Sequence, residues 1–140
     1  MNIGVRLFSE KAKTPQRATT QAAGWDVTAI QRTVIPCGNW QKVSLGIGLE
    51  LPVNSCALLL GRSGMAAKHG VLGKTGLIDS DYRGKLYLTL HNVGVNDYVI
   101  HEGDRIGQLL FLKLPSVKLQ QVPVLSKTVR GTGGFGSTGK

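Results

Sequence analysis

Carboxylates are scarce in this chain, eight in 140 residues, and four of the five aspartates fall in compact glycine-flanked segments. Asp26 lies in Ala22-Ala23-Gly24-Trp25-Asp26-Val27. Asp79 and Asp81 lie in Gly76-Leu77-Ile78-Asp79-Ser80-Asp81-Tyr82-Arg83-Gly84. Asp104 lies in Glu102-Gly103-Asp104-Arg105-Ile106-Gly107-Gln108. A further segment, Gly61-Arg62-Ser63-Gly64, carries a cation, a hydroxyl and two glycines, and the chain ends Arg130-Gly131-Thr132-Gly133-Gly134-Phe135-Gly136-Ser137-Thr138-Gly139-Lys140. An ionised aspartate can orient a water or accept its proton. A guanidinium fork, hydroxyls and successive backbone N–H groups in glycine-rich turns suit phosphate oxygens, and a phenylalanine face accepts a stacked base. The chemistry these types point to is the handling of a phosphorylated, base-bearing ligand, with the C-terminal stretch as its lid.

Each segment taken singly also has a plain structural reading. Aspartate in a tight turn bonds its own backbone. Asp104-Arg105 reads as a surface pair of little energetic weight. Arg62-Ser63-Gly64 reads as a strand end followed by a helix cap. Tyr82 reads as a core or rim aromatic, and Gln108 as a satisfied buried amide. Glycine-rich ends are commonly disordered.

The elements that must position these residues are short strands. Val43, Leu45, Ile47, Leu49 and Leu51 alternate with polar residues or glycine, the period of a half-buried strand. Leu86, Leu88 and Leu90 alternate again within 85–90. The apolar runs 57–60 and 108–114 read as fully buried strands, 27–34 and 97–100 as weaker candidates, and 92–97 as a turn. Only 64–69 suits a helix. Nineteen glycines punctuate the chain. Many short strands with almost no helical period predict an all-β sandwich or barrel. The composition shifts after about Leu125 to Lys, Thr, Ser and Gly, so residues 1–125 read as one globular body and 126–140 as an arm.

Composition sets the outer bounds. The 41% apolar and 18% charged content is that of a globular domain. No run has the length of a membrane span, and the N-terminus lacks a signal-peptide pattern, which predicts a cytoplasmic or nuclear protein. Cys37 and Cys56 lack zinc-like spacing and read as two small buried or half-buried thiols, not a disulfide. The net charge of +9 favours anionic partners. The basic residues are dispersed and aromatics make up only 6%, so small phosphates account for the charge and a nucleic-acid partner is not expected.

Together, and in this order, the five segments resemble the five motifs of the homotrimeric dUTPase family, the deoxyuridine triphosphate nucleotidohydrolases. Gly76 to Gly84 matches that family's Gly-aliphatic-Ile-Asp-x-Asp-Tyr-Arg-Gly motif nearly letter for letter, and Arg130 to Gly139 matches its C-terminal motif without a miss. The resemblance runs from about Thr14 to the end. It implies a distorted jelly-roll β-barrel with a flexible glycine-rich arm, assembled as a homotrimer with sites shared between subunits. The implied activity is hydrolysis of dUTP to dUMP and pyrophosphate, with water attacking the α-phosphorus and Mg2+ across the triphosphate. Such a reaction lowers dUTP and supplies dUMP for thymidylate synthesis.

By the same resemblance, Asp79 holds the attacking water and touches the sugar 3′-hydroxyl. Tyr82 lies beneath the deoxyribose, and a hairpin from about Gly73 through Gly76 to Tyr82 reads uracil through main-chain groups. Asp26 holds Mg2+ through water. Arg62, Ser63, Gly64 and Gln108 contact phosphate, while Arg130, Phe135, Gly136, Ser137 and Thr138 belong to the closing arm, with Phe135 over the uracil. The chain departs from the family pattern at four places. Gly61 stands where proline is common and is expected to loosen its turn, Gly107 stands for alanine as a small change, Trp25 replaces Tyr or Leu, and Lys74-Thr75 replaces small residues. Two other readings belong to the same scaffold. A dCTP deaminase needs a glutamate on the strand beside the base, and none of Glu10, Glu50 and Glu102 lies in a matching segment. A non-catalytic nucleotide sensor or partner-binding protein is at odds with the presence of Asp79 and the arm.

Overall fold

The alternating run 43–51 does not make one strand. The computed structural model describes residues 1–134, and in it the run divides between β4 (Trp40–Ser44) and β5 (Ile47–Glu50). Gly46 has φ +65° at the break, and a Cβ there would lie 2.8 Å from Ile30 Cγ2. Only glycine takes that conformation without penalty in so tight a space. The break lets one run serve two sheets: β5 pairs with β1 (Gly4–Leu7), whereas β4 pairs with β9 (Tyr87–Asn92). Leu86 bridges the two halves, accepting from Leu45 N–H at 3.1 Å and donating to Ile47 O at 2.8 Å.

The same logic divides the 27–34 candidate. β2 (Trp25–Thr28) joins β11 (Arg105–Lys113), and β3 (Thr33–Ile35) joins β10 (Tyr98–Ile100). The buried runs 57–60 and 108–114 become β6 (Ser55–Gly61) and β11, which form the longest ladder of the fold. β7 (Val71–Gly73) and β8 (Gly76–Ile78) complete the strands, and α1 (Ser63–His69) is the only helix among the described residues. Strands β1, β7 and β8 had no sequence signal, because three or four residues are too few to display a period.

The strands form four antiparallel sheets with orders β1-β5, β10-β3, β2-β11-β6-β8 and β4-β9-β7. The fold is all-β as expected, but the expected closed barrel is not formed. In the four-stranded sheet β2 and β8 remain separate edges, because the chain leaves each ladder after a few pairs to join another sheet. Between the sheets lies one apolar core, with Val27, Val43, Leu45, Ile47, Leu88, Leu90, Ile100, Ile106 and Leu109 essentially without solvent contact. Burial of this kind is the main favourable term in folding. Asn92 is equally buried and fully engaged. Its Nδ2 donates to Ile35 O (2.9 Å) and Asn96 O (2.8 Å), and its Oδ1 accepts from Gly94 N–H (3.0 Å). That side chain fixes the predicted 92–97 turn from inside, since an unpaired buried amide would be costly.

The last strand ends at Lys113. Leu114 N–H still donates to Asn54 O (2.8 Å), but from Ser116 to Gly134 the hydrogen bonds are local ones. Val117, Leu119, Val124 and Leu125 are largely exposed along this stretch. No described helix is long and apolar enough to cross a membrane.

Candidate functional site

Three of the five segments meet at one end of the four-stranded sheet. Antiparallel register sets Asp26 on β2 opposite Gln108 on β11, and Gln108 opposite Leu60 on β6. Directly opposed side chains share a face, so Asp26 and Gln108 lie side by side on it. Gly24 makes room for Gln108, since a methyl there would overlap the amide. Gln108 is half-buried, and its Nε2 points back at Gly61 O at 3.4 Å, a long contact that leaves the amide available to a ligand.

β6 delivers Gly61 to this rim, and α1 begins beyond it. Arg62 is the helix N-cap with extended backbone (φ −101°, ψ 131°) and makes no side-chain capping bond. Its guanidinium donates instead to Arg105 O at 2.8 Å, tying the second segment to the fourth. The structural reading of Arg62-Ser63-Gly64 as strand end and helix cap holds for position only, since the N-cap is Arg62 and no side chain caps the helix; that placement is compatible with ligand contact. The first-turn N–H groups of a helix lack intrahelical acceptors, and a Cβ on Gly64 would meet nothing within 4 Å. Open space above a backbone is what a phosphate needs to approach it.

Arg105 does not pair with its neighbour Asp104. Asp104 Oδ2 accepts from His101 N–H (2.7 Å), closing the turn around Gly103 at φ +84°. Arg105 Nη1 reaches Asp26 Oδ2 at 3.0 Å. Sequence reading assigned Arg105 no chemistry, and spacing carries no signal for a partner 79 residues away. The Asp26 side chain is 19% exposed, and the pair engages Oδ2 and not Oδ1. Among the described residues no three His, Cys, Asp or Glu side chains gather around a common point. That donor set does not suit a caged metal. It does suit Mg2+, which keeps waters and takes few carboxylates together with substrate phosphates.

The third segment lies elsewhere. β8 pairs with β6 through Gly76↔Leu59 and Ile78↔Ala57. One step further on, Asp79 falls level with Cys56, five positions along β6 from Gly61 and about 16 Å away at strand rise. Asp79 is exposed. Tyr82 is 46% exposed, with its N–H on Asp79 O (3.2 Å) and its Oη donating to Lys85 O (3.1 Å). Arg83 Nη1 donates to Ser80 O (2.7 Å) and Tyr82 O (3.1 Å), so the arginine braces the turn from within. β7 and β8 belong to different sheets and do not pair with each other. β8 is a sheet edge, and its outer backbone groups are free of ladder partners.

Two departures from the expected pattern acquire a physical meaning. Gly61 does not loosen its turn. It packs backbone to backbone on Gly73, and a Cβ at Gly61 would lie 2.7 Å from both Gly73 Cα and Gly73 N. Gly107 is no small change either, since a methyl there would sit 2.6 Å from Leu88 Cδ2 and 2.8 Å from Leu60 O. In the last segment, Arg130 Nε donates to Gly133 O (2.9 Å) in a local turn. Phe135, Gly136, Ser137 and Thr138 lie outside the described residues.

Similarity to known proteins points to one family. The dUTPase family model matches residues 10–139. The deoxyuridine 5′-triphosphate nucleotidohydrolase of Paramecium bursaria Chlorella virus 1 is 41% identical over 135 residues, covering 96% of each chain. A Staphylococcus bacteriophage 80alpha dUTPase mutant, whose structure was solved with dUpNHpp, superposes with a TM-score of 0.93 at 25% identity and covers 99% of each chain. A dUTPase mutant from phage phi11 of S. aureus, described as coordinating a structural Mg(II) ion, has a TM-score of 0.84 at 25% identity, covering 89% of this chain and 98% of its own.

Proposed function

The chain belongs to the dUTPase family, and from that premise we propose that it hydrolyses dUTP to dUMP and pyrophosphate in sites shared by three copies of the chain. The observation that carries this reading is the meeting of Asp26, Arg62 and Gln108 at one rim of the sheet. That rim is a phosphate end. Arg62, the first-turn backbone of Ser63 and Gly64, and the Gln108 amide offer donors to a triphosphate, whose several charges make electrostatic positioning the main catalytic task. Asp26 would hold Mg2+ through water, and the ion would offset charge on the phosphates.

Asp79 supplies the other half. It orients a water and takes its proton as the water oxygen bonds to the α-phosphorus. The bond from that phosphorus to the α,β-bridging oxygen breaks, and pyrophosphate leaves with the electron pair. Tyr82 forms the floor under the deoxyribose, where a 2′-hydroxyl would collide. The free edge of β8 reads uracil through main-chain groups. Cytosine carries a donor where uracil carries an acceptor, and a site with committed polar groups rejects the mismatch strongly.

Asp79 and Arg62 belong to opposite ends of β6 in one protomer. A single α-phosphate cannot touch both, so the Asp79 of one copy serves the phosphate end of another. The exposed apolar residues of the stretch after Lys113 favour the same assembly, because they need a second copy to cover them. That stretch carries the arm, residues 126–140, to a neighbouring site. There Arg130 and the hydroxyls of Ser137 and Thr138 close on the phosphates, with Phe135 over the base. The deciding experiment is Mg2+-dependent turnover of dUTP beside dTTP, dCTP and UTP. Rapid hydrolysis of dUTP alone is expected, and equal rates on all four would end the proposal.

A further inference from the structure

A stack of two rings and two glycines joins the Asp79–Tyr82 turn to the β1–β5 sheet. The Tyr82 phenol lies against Gly84, where a Cβ would overlap the hydroxyl and fall 2.5 Å from Cζ. Gly84 in turn lies over Gly48 of β5. A Cβ on Gly48 would be 3.1 Å from Gly84 O and 2.7 Å from Phe8 Cε2, so the Gly84 carbonyl and the Phe8 ring share the space that a side chain at 48 would fill. Neither glycine has a positive φ, so the close approach and not the turn geometry requires them. Phe8 is itself anchored. Its N–H donates to Gly46 O at 2.8 Å, and its ring is half-buried. The Arg6 guanidinium carbon lies 4.7 Å from the Phe8 ring centroid and Lys85 Nζ 5.6 Å from it, distances at which a cation is attracted to an aromatic face. Lys85 belongs to both layers, because its carbonyl accepts the Tyr82 hydroxyl at 3.1 Å while its ammonium reaches Phe8. Phe8 precedes the stretch of family resemblance and belongs to none of the five motifs.

A floor excludes a 2′-hydroxyl only if it does not yield. Tyr82 is 46% exposed, so resistance to a larger sugar comes from behind the ring, from Gly84 and from what backs Gly84. We propose that Phe8, seated on Gly48 and joined to Lys85, is a positioning residue that sets the height and tilt of the Tyr82 ring and, through it, the preference for deoxyribose over ribose. The inference deepens the hydrolytic reading and rests on its placement of Tyr82 under the sugar. Phe8 acts on that preference through the Gly84 carbonyl and Lys85.

Steady-state turnover of dUTP and of UTP by the full chain tests this in the parent protein and in Phe8→Ala, Phe8→Leu, Phe8→Tyr and Gly48→Ala. The ratio of kcat/KM for the two substrates does not depend on the fraction of chains that fold, so a variant that only destabilises the protein leaves it unchanged. Phe8→Ala should lower the dUTP/UTP ratio about tenfold, the size of effect that one methylene in a pocket brings, chiefly through faster turnover of UTP. Phe8→Tyr keeps the ring and should preserve the ratio. Gly48→Ala presses on Phe8 and Gly84 from the β5 side and should lower it with Phe8 intact. If Phe8→Ala does not fold, Phe8→Leu, which keeps the bulk but not the flat ring, takes its place with the same expectation. A parent-like ratio in the Phe8 variant that folds would overturn the positioning role and leave the hydrolase reading standing. A parent chain that turns over dUTP and UTP equally would instead refute the placement of Tyr82 under the sugar. The layer is then read from the aromatic NMR resonances of Tyr82, whose displacement by Phe8→Ala upholds the support and whose constancy overturns it.

Discussion

The two ends of β6 present opposite ways of building half a site. At the Gly61 end, three strands and a helix start deliver Asp26, Arg62, Arg105 and Gln108 to one rim, held by the Arg105–Asp26 pair (3.0 Å) and the Arg62–Arg105 backbone contact (2.8 Å). At the other end, Asp79 and Tyr82 stand exposed on a turn that bonds mostly to itself. In the proposed reading, the phosphate end is preassembled within a protomer and the water-aiming end is completed by a partner. On that proposal, binding of charge and timing of chemistry fall to different copies, and catalysis would depend on assembly.

The sharpest test of that division is Asp79→Asn. Turnover should fall about a thousandfold, while a non-hydrolysable dUTP analogue binds nearly as before. Comparable losses of binding and turnover would move Asp79 to the phosphate end. Removal of residues 130–140 should lower turnover about a hundredfold with the oligomeric mass in light scattering unchanged, and an unaltered rate would mean that the arm closes nothing. The contrast itself is tested by co-refolding Asp79→Asn chains with Arg62→Ala chains. In a ring of three sharing its sites, about a quarter of the sites regain both parent residues, so activity should return to about that fraction. A mixture as inactive as its two parents would place both residues in one protomer's site. The smallest effect concerns the hinge between the two regions. Gly73→Ala drives a methyl into the Gly61 backbone and should destabilise the fold by about 1–3 kcal/mol, read as a lower denaturant midpoint. An unchanged midpoint would show that the Gly61–Gly73 contact holds nothing.

Much of this was legible in the amino-acid order. The strands read at 57–60 and 108–114 and the helix read at 64–69 overlap the observed 55–61, 105–113 and 63–69, and the 92–97 turn is present, because each makes its own local signal. The strand expected over 43–51 failed at Gly46, where φ +65° breaks a perfect alternation, since period two says which residues point inward but not which sheet receives them. Asp26, Arg62 and Gln108 were singled out by residue type, yet Arg105 was assigned to the wrong partner. Adjacent opposite charges read as a pair in sequence, whereas the fold sends Arg105 across to β2. Phe8 carried no motif and became visible only through the close approach at Gly48.

The sequence alone determined the all-β class, the family and the residue types available for phosphate and water chemistry, because these follow from local period and from short, specific strings. Tertiary structure alone decided which of those residues meet. Register places Gln108 beside Asp26 and moves Asp79 five positions down the same sheet from Gly61, and long-range strand pairing is a property of the folded ladder that no short window of sequence contains.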